Sequence, residues 1–236
     1  MNKKINKFTK WLDPYYYLDL LLNKLFGKID SISKKIITNI IYILYSILLA
    51  YLLYIVIGLI LGTSLPLATV VSGSMEPTLH RGDIVVVNSA KNIRAQVVDI
   101  NENISKMNLK DFSKMNFLPN KYGLDEVYSI TIGNKTINLK NAIKNKNSIV
   151  IYKSNIYGKL IIHRAIALIH ANDGTFVITK GDNHKTNRII DEDCIIDSTG
   201  NLQNGCLNVY PVNTKNLYGK EIFKIPYLGY IKLIFS

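Results

Sequence analysis

The sequence predicts a mostly β domain held to a membrane by one N-terminal transmembrane helix. An uncharged apolar run at residues 40–61 predicts the helix. Short runs rich in Val, Ile, Tyr and Thr follow from residue 83 onward, separated by Gly, Asn and Asp, and helical periodicity is weak there. Such runs are typical of strands and turns. A chain of 236 residues is long enough for one ordinary domain with attachments.

The charge distribution argues against a nucleic-acid partner. The chain has 29 basic and 17 acidic residues and a formal net charge of +12. Eight of the lysines lie within residues 1–35, and the 26 residues that follow carry no charge. The remaining excess is spread over a long segment without a basic stripe and interleaved aromatics, so the sequence favours a lipid surface over nucleic acid.

Residues 40–61 read IIYILYSILLAYLLYIVIGLIL. As a helix rising about 1.5 Å per residue this run is ~33 Å long, which is enough to cross the hydrocarbon core of a bilayer. A cleavable signal peptide has an apolar region of only about 7–15 residues, so we expect the run to remain as an anchor over residues 36–62. The alternative is a buried helix of a soluble protein.

The flanks of the anchor predict its orientation. Lysines lie close before it, at Lys24, Lys28, Lys34 and Lys35, whereas the first basic residue after it is Arg81. Positive flanks stay on the cytoplasmic side. We therefore expect a single-pass protein of a cell or endoplasmic-reticulum membrane, with residues 1–35 as a cytoplasmic basic tail and residues 63–236 outside the cytoplasm.

Within the tail, residues 11–26 (WLDPYYYLDLLLNKLF) combine aromatics and leucines with a few charges. This pattern predicts an amphipathic helix on the membrane surface. A plain polar tail is the alternative.

The outer domain is predicted from six apolar runs and two hairpin turns. The turns are expected at residues 132–136 and 171–175. Residues 89–147 are rich in Asn and Lys, which predicts an inserted subdomain. The predicted strands are residues 83–88, 127–132, 136–139, 148–153, 159–170 and 175–180.

Two cysteines and an apolar C-terminus leave alternatives open. Cys194 and Cys206 lie in the outer part, where a pair can form a disulfide, and buried free thiols are the alternative. Neither cysteine has a CxxC or nearby His partner, so no metal site is expected. The segment at residues 225–236 is too short to span a bilayer and is either a final core strand or a lipid-facing patch.

A candidate nucleophile lies shortly after the anchor, in the stretch VSGSMEPTLH at residues 71–80. A serine hydroxyl becomes a useful nucleophile when a base takes its proton and donors stabilise the oxyanion. Gly73 allows a tight turn that exposes Ser74, and Pro77 stiffens the exit. Small residues form loops everywhere, so the stretch alone is a weak signal.

A candidate base lies in the apolar run LIIHRAIAL, where His163 occupies a rigid strand. A histidine in such a strand is more often a packed core residue. Downstream, residues 179–193 (TKGDNHKTNRIIDED) bring several carboxylates that are able to orient an imidazole. The alternative for this stretch is a solvated loop with turn-forming Asp and Asn.

Four segments in order behind a membrane span, SGSMEPTL, GDIVVV, IIHR and TKGDN, resemble type I signal peptidase, the serine protease that removes signal peptides from exported proteins. The resemblance covers the anchor and about residues 60–88 and 148–193. The His-Arg pair at residues 163–164 is similar to the endoplasmic-reticulum and archaeal branch, which uses a Ser–His pair. It implies a signal-peptidase-like β-fold and a protease that needs neither metal nor cofactor.

The resemblance also implies residue roles. Ser74 would be the acylated nucleophile, and its backbone N–H would form the oxyanion hole with help from the Ser72 hydroxyl. His163 would be the general base, and Asp182 would support the site. The family branch has another acidic residue about six positions beyond, where this chain has Arg188. Asp191 is the nearest carboxylate that could substitute, with Asp193 behind it, so the carboxylate that completes the site stays open among Asp182, Asp191 and Asp193.

The implied substrates are signal-peptide-bearing preproteins, cleaved after small residues in an A-x-A-like pattern, with the lipid bilayer and the export machinery as partners. Met75 is expected to line a shallow substrate pocket. Ser74 follows residue 61 by 13 positions, which keeps it near the lipid surface. Two alternatives remain: a related protease with one restricted precursor, and an anchored β-rich binding module without catalysis.

Overall fold

A computed structural model describes residue 10 and residues 12–27, 32–199 and 201–234. It divides into two compact units, residues 1–56 and 57–236. Of its residues, 31% lie in strands and 28% in helices, so the whole chain is mixed rather than mostly β. The expectation was too strong because two N-terminal helices supply most of the helical residues.

The first unit contains α1 (Pro14–Phe26) and most of α2 (Ile32–Leu61). Asp13 caps α1 by accepting a hydrogen bond from the Tyr15 N–H, and Pro14 occupies the first turn, where no amide donor is needed. Tyrosines join the two helices, since the Tyr15 hydroxyl lies 2.8 Å from Ser46 Oγ and Tyr45 Oη donates to the Pro14 carbonyl at 3.0 Å.

Residues 35–61 of α2 are long and apolar enough to cross a membrane, and only 6% of the most apolar window is buried. A helix with an apolar surface on all sides suits a lipid environment. A helix is also found where the membrane-surface helix was expected, as α1. The basic tail before it lies mostly outside the described residues.

The second unit is built on an eight-stranded sheet. Along the sheet the order is β1-β2-β11-β7-β8-β9-β10, and β3 pairs with β8 in parallel. The strands are β1 (Leu67–Thr69), β2 (Ile84–Asn88), β3 (Gln96–Asp99), β7 (Ile149–Lys153), β8 (Leu160–Ala171), β9 (Gly174–Lys180), β10 (Val212–Asn213) and β11 (Leu217–Ile225).

A three-stranded antiparallel sheet forms within the predicted insertion. It consists of β4 (Ser113–Pro119), β5 (Asp125–Ile132) and β6 (Lys135–Asn138), flanked by α3 (Leu109–Phe112) and α4 (Leu139–Lys144). Its apolar side packs on β8 and β9 in one buried cluster that includes Ile130, Ile166 and Ile178. The insertion is therefore not independent of the main sheet, and its β3 belongs to that sheet.

The six predicted strands and both hairpin turns are confirmed, as β2 and β5–β9, with ends that move by one or two residues. The C-terminal segment is not a core strand. After β11 the chain forms α5 (Tyr230–Ile234), whose residues Tyr230, Ile231 and Ile234 are exposed. The lipid-facing alternative stays a prediction.

Candidate functional site

Ser74 lies in the loop that connects β1 to β2. The ends of this loop are closed by two backbone hydrogen bonds, from the Val70 N–H to the Asp83 carbonyl and from the Gly82 N–H to the Val70 carbonyl, each 2.9 Å long. Met75 and Leu79 point inward and join a buried cluster with Val85 and other residues of the sheet. The loop is thus anchored on both sides of Ser74.

The structure corrects the expectation for Met75. Its side chain is only 1% exposed, because it fills the core beneath the serine loop. It therefore does not line a surface pocket, and its contribution is to fix the position of its neighbour Ser74.

The GDN segment (residues 181–183) contacts the loop that carries Ser74 (residues 70–83, the serine loop). The Asn183 N–H donates to the Ser74 carbonyl at 2.9 Å, and Asn183 Nδ2 donates to the Gly73 carbonyl at 2.8 Å. A Cβ atom added to Gly181 would lie 2.6 Å from the Ser74 carbonyl oxygen. Only a residue without a side chain permits this approach, which explains the glycine.

Asp182 completes this clamp and is not the partner of the histidine. Its carboxylate accepts two hydrogen bonds from Arg164, from Nε at 2.8 Å and from Nη2 at 2.6 Å, in a buried ion pair. It also accepts from the Thr78 hydroxyl at 2.5 Å. Asp182 therefore ties β8 to the serine loop, which gives physical content to the expected supporting role.

His163 pairs with Asp191. The distance from His163 Nδ1 to Asp191 Oδ2 is 2.6 Å, and the two residues are 2% and 3% exposed. A carboxylate is an acceptor, so the Nδ1 proton lies between the two groups and the Nε2 lone pair is left to accept a proton. This arrangement orients the imidazole as a base.

Two hydroxyls also donate to Asp191 Oδ2, from Tyr152 at 3.0 Å and from Thr179 at 2.7 Å. Both come from strands that flank β8. Tyr152 lies on β7 opposite Ile161 of β8, and Thr179 lies on β9 opposite Ala165 of β8. Directly opposite residues share a face, and so do residues two apart along a strand. Tyr152, His163 and Thr179 therefore converge on one carboxylate from one face of the sheet.

Neither Tyr152 nor Thr179 was identified from the sequence. A tyrosine and a threonine in apolar strands are ordinary strand formers, and nothing local distinguishes them. Burial and the neighbouring charge of Asp191 raise the pKa of Tyr152 well above its ordinary value, so its hydroxyl keeps the proton that it donates.

Asp193, another open candidate, forms no hydrogen bond or ion pair with His163 among the described residues. It pairs with Lys110, whose Nζ lies 3.7 Å from Oδ1. Burial raises the pKa of this carboxyl, and Lys110 opposes the rise. Of the three carboxylates left open by the sequence, the structure brings Asp191 to His163.

Glu192, which the sequence did not single out, lies beneath this network with none of its surface exposed. Glu192 Oε2 accepts from the Thr179 N–H at 3.1 Å, and Oε1 lies 3.2 Å from the Thr179 hydroxyl. Burial and the charge of Asp191 raise the pKa of Glu192 well above its ordinary value.

The chain next to the disulfide holds the backbone of Asp191 in place. Cys194 and Cys206 are joined, which resolves the alternative of buried free thiols. The chain between them returns so that the N–H groups of Leu207 and Asn208 donate to the Asp191 carbonyl at 2.7 and 3.0 Å. The backbone of Asp191 is thereby held by β9, through the Thr179 carbonyl, and by the two residues that follow Cys206.

The register of β8 and β9 places Ser74 and His163 beside the same residue. Arg164 is opposite Lys180, so continuing the register by one residue places Gly181 opposite His163. The Ser74 carbonyl packs directly on Gly181. Residues 89 positions apart in the chain therefore both neighbour Gly181, at the end of β9.

Among the described residues, no hydrogen bond joins Ser74 to His163. The Ser74 hydroxyl instead accepts from Ser72 Oγ at 3.2 Å. Catalytic hydrogen bonds are commonly long or absent before a substrate binds.

Within the described residues, no group of three or more His, Cys, Asp or Glu side chains is arranged to hold a metal ion. Comparison of the chain with protein-family models found no match, and a search of curated proteins found none either.

Proposed function

We propose that this protein is a membrane-anchored serine endopeptidase of the type I signal peptidase kind. The observation that carries the proposal is the buried 2.6 Å contact between His163 and Asp191 at the strand end where the GDN segment holds Ser74. A core histidine needs one satisfied nitrogen, but it does not need a carboxylate that also accepts from two hydroxyls.

In the first step His163 Nε2 takes the proton of Ser74 Oγ as the oxygen attacks the carbonyl carbon of the scissile amide. Asp191 stabilises the imidazolium that forms, and it stays ionised. In the described part of the chain the Ser74 N–H has no protein acceptor, so it is free to donate to the oxyanion. The Ser72 hydroxyl, 3.2 Å from Ser74 Oγ, is close enough to add a second donor.

The imidazolium then gives its proton to the leaving amine, and the C–N bond breaks to leave an ester on Ser74. His163 next deprotonates a water molecule, which attacks the ester and restores the serine. Every proton that moves is carried by His163.

The substrate class follows from the anchor and the resemblance together. The apolar helix α2 is suited to a bilayer, and the lysines before it favour a cytoplasmic N-terminus. We propose that residues 63–236 act outside the cytoplasm on preproteins whose signal peptides end in small residues, in contact with the lipid bilayer and the export machinery.

The test uses the full chain in lipid nanodiscs with a labelled preprotein that carries an A-x-A cleavage site. We expect the wild type to cleave after the second alanine, as identified by mass spectrometry of the product. Ser74→Ala and His163→Ala should each lower the rate by a factor of about 10³ or more.

His170→Ala is the matched control. It lies on the same strand as His163 and pairs with an aspartate, Asp99, at 3.2 Å, but both side chains are exposed. This variant should retain wild-type activity. Cleavage by Ser74→Ala at the wild-type rate would show that the serine is not the nucleophile. Absence of cleavage by the wild type would favour the non-catalytic binding module.

A further inference from the structure

A cavity of about 560 Å³ lies on the side of β8 and β9 opposite to His163. Arg164, Ile166 and Lys180 form its floor, and the three-stranded sheet with α4 forms its wall. Neighbouring residues on a strand point to opposite faces, which places Arg164 in the cavity and His163 away from it. Its volume is typical of a ligand-binding site.

The cavity carries an excess of positive charge. Five cations line it, against two carboxylates, Glu126 and Asp182. Both carboxylates are already paired, Asp182 with Arg164 and Glu126 with Lys180 at 2.8 Å. The cations are Lys121, Lys140, Lys144, Arg164 and Lys180.

The negative charge of Glu126 is balanced by partners inside the protein. Burial would raise the pKa of this carboxyl, but Lys180, His184 and Asn120 outweigh it by hydrogen bonds and charge, so the pKa lies below its ordinary value. Glu126 is therefore ionised at neutral pH and is neutralised by Lys180 beside it. The net positive charge of the cavity comes from the lysines at its rim.

Those rim lysines have no acidic partner. Among the described residues, none of Lys121, Lys140 and Lys144 forms an ion pair, and all three are exposed. Lys121 lies over the ring of Tyr122 and Lys140 over the ring of Tyr128. Apolar side chains, among them Leu139 and Ile143, lie between the lysines and the floor.

The cavity reaches the candidate active site at one residue. Gly181 lines the cavity, and its backbone contacts the Ser74 carbonyl. Because β9 ends at Lys180, a peptide bound at Ser74 can pass around this strand end toward the cavity on the other face.

We propose that this cavity binds the substrate residues that follow the scissile bond and favours acidic side chains among them; this inference rests on the proposed function. A signal peptide is apolar with a basic N-terminal region, so it does not complement a cationic rim. The early mature segment supplies the carboxylates, because basic residues beside an exported segment are retained on the cytoplasmic side.

The experiment compares three preproteins with the same signal peptide, cleavage site and first mature residue. Positions two to five after the scissile bond carry two Asp, two Ser or two Lys. With the full chain in nanodiscs of neutral lipid, we expect kcat/KM to fall about tenfold from the Asp to the Lys substrate, mainly through KM. High salt should reduce the difference, because exposed charges are screened.

The double variant Lys140→Gln/Lys144→Gln should lose most of the preference for Asp, and an unchanged circular dichroism spectrum and melting temperature should show that it is folded. The matched control Lys106→Gln/Lys114→Gln changes two exposed lysines that do not line the cavity, and it should keep the preference.

The outcomes separate the two proposals. Equal cleavage of all three substrates by the wild type would overturn the cavity proposal and leave the peptidase standing. A preference that persists in Lys140→Gln/Lys144→Gln would also overturn it. Failure to cleave any substrate would remove both.

Discussion

Replacing Glu192 by Gln tests whether the Glu192 carboxyl, which lies next to the proposed catalytic pair of His163 and Asp191, is neutral. The Thr179 hydroxyl has one proton and lies 2.7 Å from Asp191 Oδ2 but 3.2 Å from Glu192 Oε1. The shorter contact, to the ionised partner, takes that proton. The longer contact is then a hydrogen bond only if Glu192 is the donor, which requires its protonated form.

The glutamine retains this pattern, because its amide donates to the Thr179 oxygen and its carbonyl accepts from the Thr179 N–H. The contact that it weakens is the 3.4 Å one from Asn208 Nδ2. We therefore expect kcat/KM within about threefold of the wild type, the effect of one weak neutral hydrogen bond. The acidic limb of the pH–rate profile should stay in place.

An ionised Glu192 would give a different result. The two contacts at Thr179 Oγ1 place its carboxyl oxygen less than about 6 Å from Asp191 Oδ2 and less than ~8.5 Å from His163 Nδ1. At an effective dielectric constant of about 20, a unit charge at that distance stabilises an imidazolium by about 2 kcal/mol. Removing it would move the acidic limb of kcat/KM down by about 1.4 pH units.

The assay is the pH dependence of preprotein cleavage between pH 5 and 9. A downward displacement of the acidic limb by one pH unit or more in Glu192→Gln would refute the neutral assignment. Glu192→Ala serves as the disruptive control, because it removes the acceptor of the Thr179 N–H and should lower activity well below that of the glutamine variant.

The free energy of unfolding should also depend on the protonation of Glu192. Because the pKa of Glu192 is raised in the folded state, the folded protein holds this proton at pH values where the unfolded chain, near pKa 4.5, has lost it. Its stabilising contribution is complete below pH 4.5 and declines above by about 1.4 kcal/mol per pH unit until the folded carboxyl ionises. Glu192→Gln does not titrate, so its stability relative to the wild type should rise over this window in urea denaturation.

Three further changes test the supports of the site. Asp191→Asn should lower kcat by about 10³–10⁴ because the amide no longer fixes the imidazole tautomer; a loss below tenfold in the cleavage assay would contradict the assignment. Gly181→Ala places a methyl group 2.6 Å from the Ser74 carbonyl and should lower kcat/KM by at least about tenfold. Gly205→Ala meets nothing within 4 Å, and equal activities of the two alanine variants would show that Gly181 is not a contact that matters. Replacing Cys194 and Cys206 by Ser opens a loop with a sequence separation of 12, which should lower the free energy of unfolding by about 3 kcal/mol in urea denaturation, and an unchanged value would show that the bridge does not constrain the chain.

The sequence predicted those strands that are apolar and bounded by recognisable turn residues. The hairpin of β8 and β9 has long apolar runs on both sides of an Asn-Asp-Gly turn, and the structure has it at those residues. The sequence did not identify β11, although it lies between β2 and β7 in the sheet. Its sequence LYGKEIFKI carries three charges, and several of its side chains are exposed or half-buried, so it lacks the apolar pattern of an interior strand.

The carboxylate partner of His163 was harder to predict for a different reason. Asp182, Asp191 and Asp193 all follow β9, and their spacing from His163 does not distinguish them. The choice depends on tertiary contacts: the Asp191 N–H donates to the Thr179 carbonyl, and its own carbonyl accepts from Leu207 and Asn208. Those contacts involve residues far along the chain, so no local pattern contains them.

The His-Arg pair on β8 explains why two aspartates are needed. Adjacent residues on a strand face opposite sides, so His163 meets Asp191 on one side of the sheet and Arg164 meets Asp182 on the other. Asp182 holds Thr78 of the serine loop, whereas Asp191 holds the imidazole. One strand therefore sets the position of the base directly and that of the nucleophile through Asp182, so a shift of β8 moves both together and preserves their spacing.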